Sequence, residues 1–172
     1  ITERMQNVGI VKNENPYEKE LVRLLYSGKE DAVEYILEKI GIENFTNANY
    51  RNLAEIVSQA FNEHKISPAY LIDQIQNEEL KSFIFKLTLT DETISKKWDE
   101  LSFNGKIEKD TFEHAEETVK SFLIFEIERQ IKANNSIIAE SKDEHLHIEL
   151  LKRNQELQDE RKAILNSKVN ST

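Results

Sequence analysis

Apolar residues recur three or four positions apart along most of the chain, and polar caps and glycines divide the pattern into segments. One helix is predicted over residues 16–26, with Asn15 as its N-cap, a proline at its first position and Gly28 after its end. Gly41 stops the next apolar segment. The pattern predicts six short helices in the first part of the chain, beginning near Pro16, Ala32, Asn47, Ser67, Asn77 and Thr90.

The pattern changes after the turn signal Asn104-Gly105, because residues 110–172 contain neither glycine nor proline. Asp110 can open a capping box, and apolar positions follow it at helical spacing as far as Ile138. We therefore expect one long helix that begins at about residue 110.

A polar link separates this long helix from a last one, which Ser141 or Asp143 can cap. Leu150, Leu157 and Ile164 follow each other at intervals of seven residues, a spacing typical of the seam between two packed helices. Two long helices joined by a short link form an antiparallel hairpin. We therefore expect a helical hairpin at the C-terminal end of the chain.

The expected fold class is all-α, since four glycines and two prolines in 172 residues are few for a turn-rich β-protein. We expect a globular helical bundle over residues 14–109, followed over residues 110–166 by the long helix and the hairpin. Residues 1–13 and 167–172 are expected to be flexible tails. The chain begins with Ile1 rather than Met, so we expect a fragment of a longer protein.

The charge of the chain argues against nucleic-acid binding as its main role. There are 23 Lys and Arg against 32 Asp and Glu, and the parts before and after Asp110 are both acidic. Phosphate contacts need clustered basic residues. Phe83, Phe85, Trp98 and Phe103 could stack on bases, but stacking platforms lie in electropositive grooves. We therefore expect these aromatic residues to pack in the core.

Motifs for catalysis, cofactors and metals are largely missing. The sequence has no cysteine, no glycine-rich phosphate loop and no apolar run long enough to span a membrane. Glu144 and His147 have the spacing of the Glu-x-x-His motif in carboxylate-bridged di-iron bundles. Those sites need a second such motif and two further glutamates. We expect no catalytic residue, no metal ligand and no cofactor.

Four groups of residues along the chain carry sequence motifs whose order is characteristic of one family. Two of them are continuous segments, the first group at residues 15–25 (NPYEKELVRLL) and the third at residues 66–72 (ISPAYLI). The second group consists of Phe45, Arg51, Leu53, Ala54, Ile56 and Val57, and the fourth of Leu157, Glu160 and Arg161. In this order, over residues 14–166, the chain resembles the C-terminal helicase-binding domain of DnaG-type bacterial DNA primase.

The resemblance implies a non-catalytic protein-interaction domain. In that family the domain binds the N-terminal collar of the hexameric replicative helicase (DnaB-type), recruits primase to the replication fork and modulates the helicase. The nucleotidyltransferase chemistry of the parent primase lies in other domains. We therefore expect a cytoplasmic component of a bacterial replisome, without cofactor, membrane contact or direct nucleic-acid contact. We expect a monomer or weak dimer, with domain swapping as one route to dimers.

Six residues near the hairpin are candidate contacts with the helicase. On a helix that turns about 100° per residue, Ile148 lies opposite the seam and Leu151 lies well off it. Outward apolar residues suit a helix-in-groove contact, although they can also pack back on the globular part. The arginines can bind helicase carboxylates or only water. The six candidates are Ile137, Ile138, Ile148, Leu151, Arg153 and Arg161.

Two alternatives fit the same sequence. The globular part also resembles the N-terminal domain of the replicative helicase, so the chain could be a collar domain that assembles with itself. The single Glu-x-x-His motif leaves a helical metal-binding protein as the other alternative. Trimers or hexamers in solution would favour the collar domain, and stoichiometric metal in the purified protein would favour the metal-binding protein.

Overall fold

Helices form the architecture of residues 14–86 and 111–167, the parts of the chain that the computed structural model describes. These two ranges contain no strand, which confirms the all-α class for them. A short 3-10 helix, Ile42–Asn44, follows the second helix. In chain order the α-helices are α1 (Glu18–Tyr26), α2 (Glu30–Lys39), α3 (Ala48–Asn62), α4 (Pro68–Gln74), α5 (78–86), α6 (Thr111–Glu140) and α7 (Glu144–Asn166).

Several predictions fall outside the described residues. Among the local features, these are the helix that begins at Thr90, the turn at Asn104-Gly105, the cap Asp110 and the aromatic residues Trp98 and Phe103. The predicted tails also lie outside the described ranges, apart from Ser167.

The predicted polar caps begin their helices. The side chains of Asn47, Ser67 and Asn77 each accept hydrogen bonds from backbone N–H groups two or three residues further along the chain. These bonds satisfy amides that have no partner inside the first turn of a helix. The predicted starts of α3, α4 and α5 are therefore confirmed.

Asn15 has a different role from the predicted N-cap, because α1 begins at Glu18 and the predicted start is two residues too early. Its Oδ1 atom accepts a hydrogen bond from the Tyr17 N–H at 3.0 Å. Its amide nitrogen donates to the Phe122 carbonyl at 3.2 Å and to the Glu126 carboxylate at 2.9 Å. Asn15 is buried, so these bonds tie the turn before α1 to the middle of α6.

Gly28 makes the turn between α1 and α2, as its sequence position predicts. Its φ of 68° is in the left-handed region, where a residue without a side chain has no steric cost. A Cβ atom at this position would lie only 2.4 Å from the Ile66 carbonyl oxygen. The turn therefore packs directly on the backbone that precedes α4.

The core is built by α1–α5 together with the first part of α6. The ring of Tyr35 contacts that of Phe112 with centroids 5.4 Å apart, and the ring of Phe45 lies 6.4 Å from that of Phe122. The α6 residues buried in the same apolar cluster as α1–α5 are Ala115, Val119 and Phe122. The start of α6 thus belongs to the packing of the first five helices.

The predicted burial of aromatic residues is confirmed for one of the two that the structure describes. Phe83 packs against the core, with its ring 5.2 Å from that of Tyr50. Phe85 is exposed, so the expectation that it packs in the core was wrong. Phe83 and Phe85 are two residues apart, so they lie about 200° from each other around α5 and therefore on nearly opposite faces of the helix.

Two polar clusters fix α1 against its neighbours. Glu18 is fully buried, and its carboxylate accepts hydrogen bonds from the N–H and hydroxyl of Thr46 and from the N–H of Asn47. At the other contact, Glu20 accepts from Arg23 and lies 2.5 Å from Nε2 of His114, in the first turn of α6. Glu18 therefore joins α1 to the residues just before α3, and Glu20 joins it to the first turn of α6.

Helices α6 and α7 lie antiparallel to each other. Asn134 of α6 donates to Asn154 of α7 at 2.8 Å, and Glu128 of α6 pairs with Arg161 of α7 at 2.9 Å. Earlier positions on α6 thus meet later positions on α7. Leu157, which lies between those two α7 residues, is buried.

Candidate protein-binding surface

The bend between α6 and α7 is closed by side chains that bond to its backbone. Asp143 caps α7 by accepting hydrogen bonds from the N–H groups of His145 and Leu146 at 3.0 and 3.2 Å. The Ser141 hydroxyl accepts from the Asp143 N–H at 3.1 Å. Nε2 of His147 lies 2.9 Å from the Ser141 carbonyl oxygen. This network sets where α7 begins and the direction in which it leaves the bend.

The seam between the two helices fixes how α7 is rotated about its own axis. Leu150 and Leu157, two of the predicted seam residues, are buried. Between them, Asn154 accepts from the Asn134 amide and donates to Asn135, at 2.8 and 2.9 Å. A polar layer between two apolar ones favours a single helical register. The opposite side of α7 is therefore turned away from α6.

That opposite side, which we call the outer face of α7, consists of Glu144, Ile148, Leu151 and Gln155. Their spacing of four, three and four residues forms one stripe along a helix, and all four are exposed. Ile148 is 68% exposed and Leu151 is 56% exposed. The structure thus brings two of the predicted contact residues onto one stripe, where both are accessible to a partner.

Of the other candidates, Ile137 and Ile138 lie in the last turn of α6 and are only half-buried. Arg153 is exposed, and it pairs with Glu156 at 3.1 Å and with Glu160 at 3.5 Å on its own helix. It lies about 140° around α7 from Ile148. Arg153 is therefore not on the outer face.

Arg161 lies on the other flank of the seam. It pairs across the hairpin with Glu128, and both residues border a shallow groove of about 570 Å³ between α6 and α7. The other lining residues are Ile131, Lys132, Asn135, Ser136, Ala139 and Gln158. The six predicted contact residues are therefore distributed over at least two sides of the hairpin.

Sequence reasoning missed one exposed apolar residue of α7. Leu165 is 57% exposed near the end of the helix, close in sequence to the seam residue Ile164. The seven-residue repeat places Ile164 in the seam and leaves the next position outside it. Leu165 lies about 20 Å along the helix axis from Leu151, so the two do not share one contact.

The Glu-x-x-His spacing in α7 does not bring together a set of metal ligands. The ring of His147 contacts the Ser141 carbonyl, whereas the side chain of Glu144 is exposed. Across the two described ranges, no three His, Cys, Asp or Glu side chains are grouped so that they could hold a metal ion. The described helices likewise include none with the length and apolar character needed to cross a membrane.

Comparisons with known proteins identify no relative of the chain. No family model matches it, no curated protein matches it, and no solved structure matches it.

Proposed function

We propose that the chain is a non-catalytic docking domain, the helicase-binding domain of a DnaG-type primase. In this proposal residues 14–109 form a globular base and residues 110–166 form the docking arm. The observation that carries the proposal is the exposure of Ile148 and Leu151 on one stripe of α7, on the side turned away from the seam. The resemblance of the sequence motifs supplies the identity of the partner.

The packing of α6 supports the role of an arm. Its 30 residues correspond to a length of about 45 Å. Its first part is buried with α1–α5, while its later part pairs with α7. A helix that is anchored at one end in a core can hold its other end at a defined distance from that core. This arrangement suits a domain that presents a contact surface to a large partner.

The contact itself would follow the helix-in-groove mode. The partner's groove would cover Ile148 and Leu151, and full burial of each would contribute about 2 kcal/mol. Gln155 and Glu144 would lie at the ends of the same stripe. The proposed groove belongs to the N-terminal collar of the hexameric replicative helicase. Binding there would recruit the parent primase to the replication fork and modulate the helicase.

The proposal also covers the activities that the domain lacks. The proposed domain performs no catalysis, holds no cofactor and makes no direct contact with nucleic acid or membrane. It would act in the cytoplasm as part of a bacterial replisome. The acidic balance of the chain, 32 Asp and Glu against 23 Lys and Arg, supports the absence of a phosphate-binding role.

Substitution of Ile148 and Leu151 tests the proposal directly. We expect Ile148→Asp or Leu151→Asp to weaken binding to the purified hexameric helicase by about 30-fold, because a charge cannot be buried in an apolar groove. Isothermal titration calorimetry measures the affinity, and circular dichroism checks that the helical content is unchanged.

The matched control is Leu165→Asp, since Leu165 is equally exposed on the same helix but far from the outer face. This variant should bind like the unaltered chain. If Ile148→Asp and Leu151→Asp also bind with unaltered affinity, α7 does not dock through its outer face and the proposal fails.

A further inference from the structure

Carboxylates predominate around the outer face of α7. Residues 140–152, which run from the end of α6 into the third turn of α7, contain four acidic side chains and two lysines. All six are exposed. Ile148 and Leu151 both lie within this segment. The acidic residues are Glu140, Asp143, Glu144 and Glu149, and the lysines are Lys142 and Lys152.

Little of this negative charge is compensated within the hairpin. Glu140 and Glu144 make no ion pair with any residue in the described ranges. Within the described residues Glu149 pairs with His145, with 3.7 Å between His145 Nδ1 and the carboxylate. The Asp143 carboxylate accepts hydrogen bonds from backbone amides at the start of α7. The apolar pair is therefore bordered by carboxylates that can still bind cations.

We propose that the outer face of α7 docks on a protein surface in which lysine and arginine side chains border an apolar groove. This inference rests on the proposed function and adds the chemistry of the partner to it. The groove would receive Ile148 and Leu151, and the basic side chains would pair with Glu140, Glu144 and Glu149.

Charge complementarity also selects against other occupants. A second copy of this chain would bring the same carboxylates against the outer face, and like charges at an interface are repulsive. Phosphate backbones are repelled for the same reason. A basic partner gains from long-range attraction as well as from pairing at contact, and both effects weaken as salt rises.

The test uses the triple variant Glu140→Gln, Glu144→Gln, Glu149→Gln of the full 172-residue chain. Its affinity for the purified hexameric replicative helicase is measured at about 50 mM and about 500 mM NaCl. We expect about tenfold weaker binding than the unaltered chain at low salt, since each lost exposed ion pair weakens binding by a factor of about two. At high salt the two affinities should converge.

The matched control removes three exposed carboxylates elsewhere, with Glu34→Gln, Glu55→Gln and Asp73→Asn. It lowers the net negative charge by the same amount and should keep the unaltered affinity at both salt concentrations. Circular dichroism verifies that both triple variants keep their helical content. A general effect of net charge would weaken both variants equally and would overturn the inference.

The remaining outcomes separate this inference from the proposed function. If Ile148→Asp abolishes binding but the triple glutamate variant keeps the unaltered affinity at low salt, the partner's basic border is refuted. The proposed docking through the outer face of α7 is then retained. If the helicase binds neither the unaltered chain nor its variants, both are refuted. If light scattering instead detects dimers that Ile148→Asp dissociates, the outer face is occupied by a second copy and the inference is overturned.

Discussion

At the scale of single residues, two glycines show how differently the same substitution can act. Gly28 has a φ of 68° and faces the Ile66 carbonyl, so an added Cβ atom would meet rigid backbone. Gly41 has an ordinary φ of −62°, and a Cβ atom there would meet only the flexible carboxylate of Glu43. The position of a glycine in the fold therefore decides how much stability is lost when it is replaced by alanine.

We expect Gly28→Ala to lower the free energy of unfolding by about 2 kcal/mol, through strain in the left-handed region and displacement of the backbone at Ile66. Urea denaturation followed by circular dichroism measures this change. Gly41→Ala is the control and should change the free energy of unfolding much less, because the Glu43 side chain can move aside. Equal losses for the two variants would contradict the turn geometry described for Gly28.

Residue roles were predictable from sequence where the partner is close along the chain. Asn47 and Ser67 bond to amides two or three residues away, and their positions before apolar segments indicated this. The pairing of Arg161 with Glu128 joins residues that are 33 positions apart, so a helix pattern alone could not identify it. The same holds for the amide of Asn15, whose partner Phe122 is 107 positions away.

At the scale of helices, one carboxylate adds a polar contact to the apolar packing between α1 and α6. Burial raises the pKa of Glu20, but hydrogen bonds from Arg23 and His114 outweigh this effect and hold that pKa below its ordinary value of 4.5. A lowered pKa in the folded state means that the charged carboxylate stabilises the fold. This contribution is present above pH 4.5 and is lost as the pH falls through the folded-state pKa.

We therefore expect the unaltered chain to lose more stability than Glu20→Gln when the pH is lowered from about 5.5 to about 3. Other carboxylates titrate in both proteins, so the difference between them isolates Glu20. Urea unfolding at the two pH values provides the measurement, and the exposed Glu55→Gln is the control, which should follow the unaltered chain. If Glu20→Gln loses as much stability as the unaltered chain, Glu20 does not hold α6 on α1 through its charge.

Helix boundaries were predictable to within about two residues. The rotation of a helix about its own axis was predictable only where its apolar residues recur regularly. The repeat of Leu150 and Leu157 correctly indicated which side of α7 faces α6. It follows that Ile148 and Leu151 were correctly expected to be turned away from the seam. The position of Arg153 on a different side of α7 could not be predicted in this way, because charged residues carry no signal in an apolar repeat.

At the scale of the whole molecule, composition was sufficient to predict the fold class. The few glycines and prolines indicated helices, and the described ranges contain no strand. Composition could not indicate how α6 is shared between the core and the pair with α7. That division depends on contacts such as Tyr35 with Phe112 and Asn134 with Asn154, each between residues of two different helices.

The measurement that tests the central claim most directly is photo-crosslinking to the purified hexameric helicase from a photoreactive residue at position 148. The account predicts crosslinks from this position to the N-terminal collar, because Ile148 would lie inside the apolar groove. The same probe at position 165, which is exposed on the same helix, should give none. Crosslinks from position 165 but not from position 148, or none from either, would contradict docking through the outer face of α7.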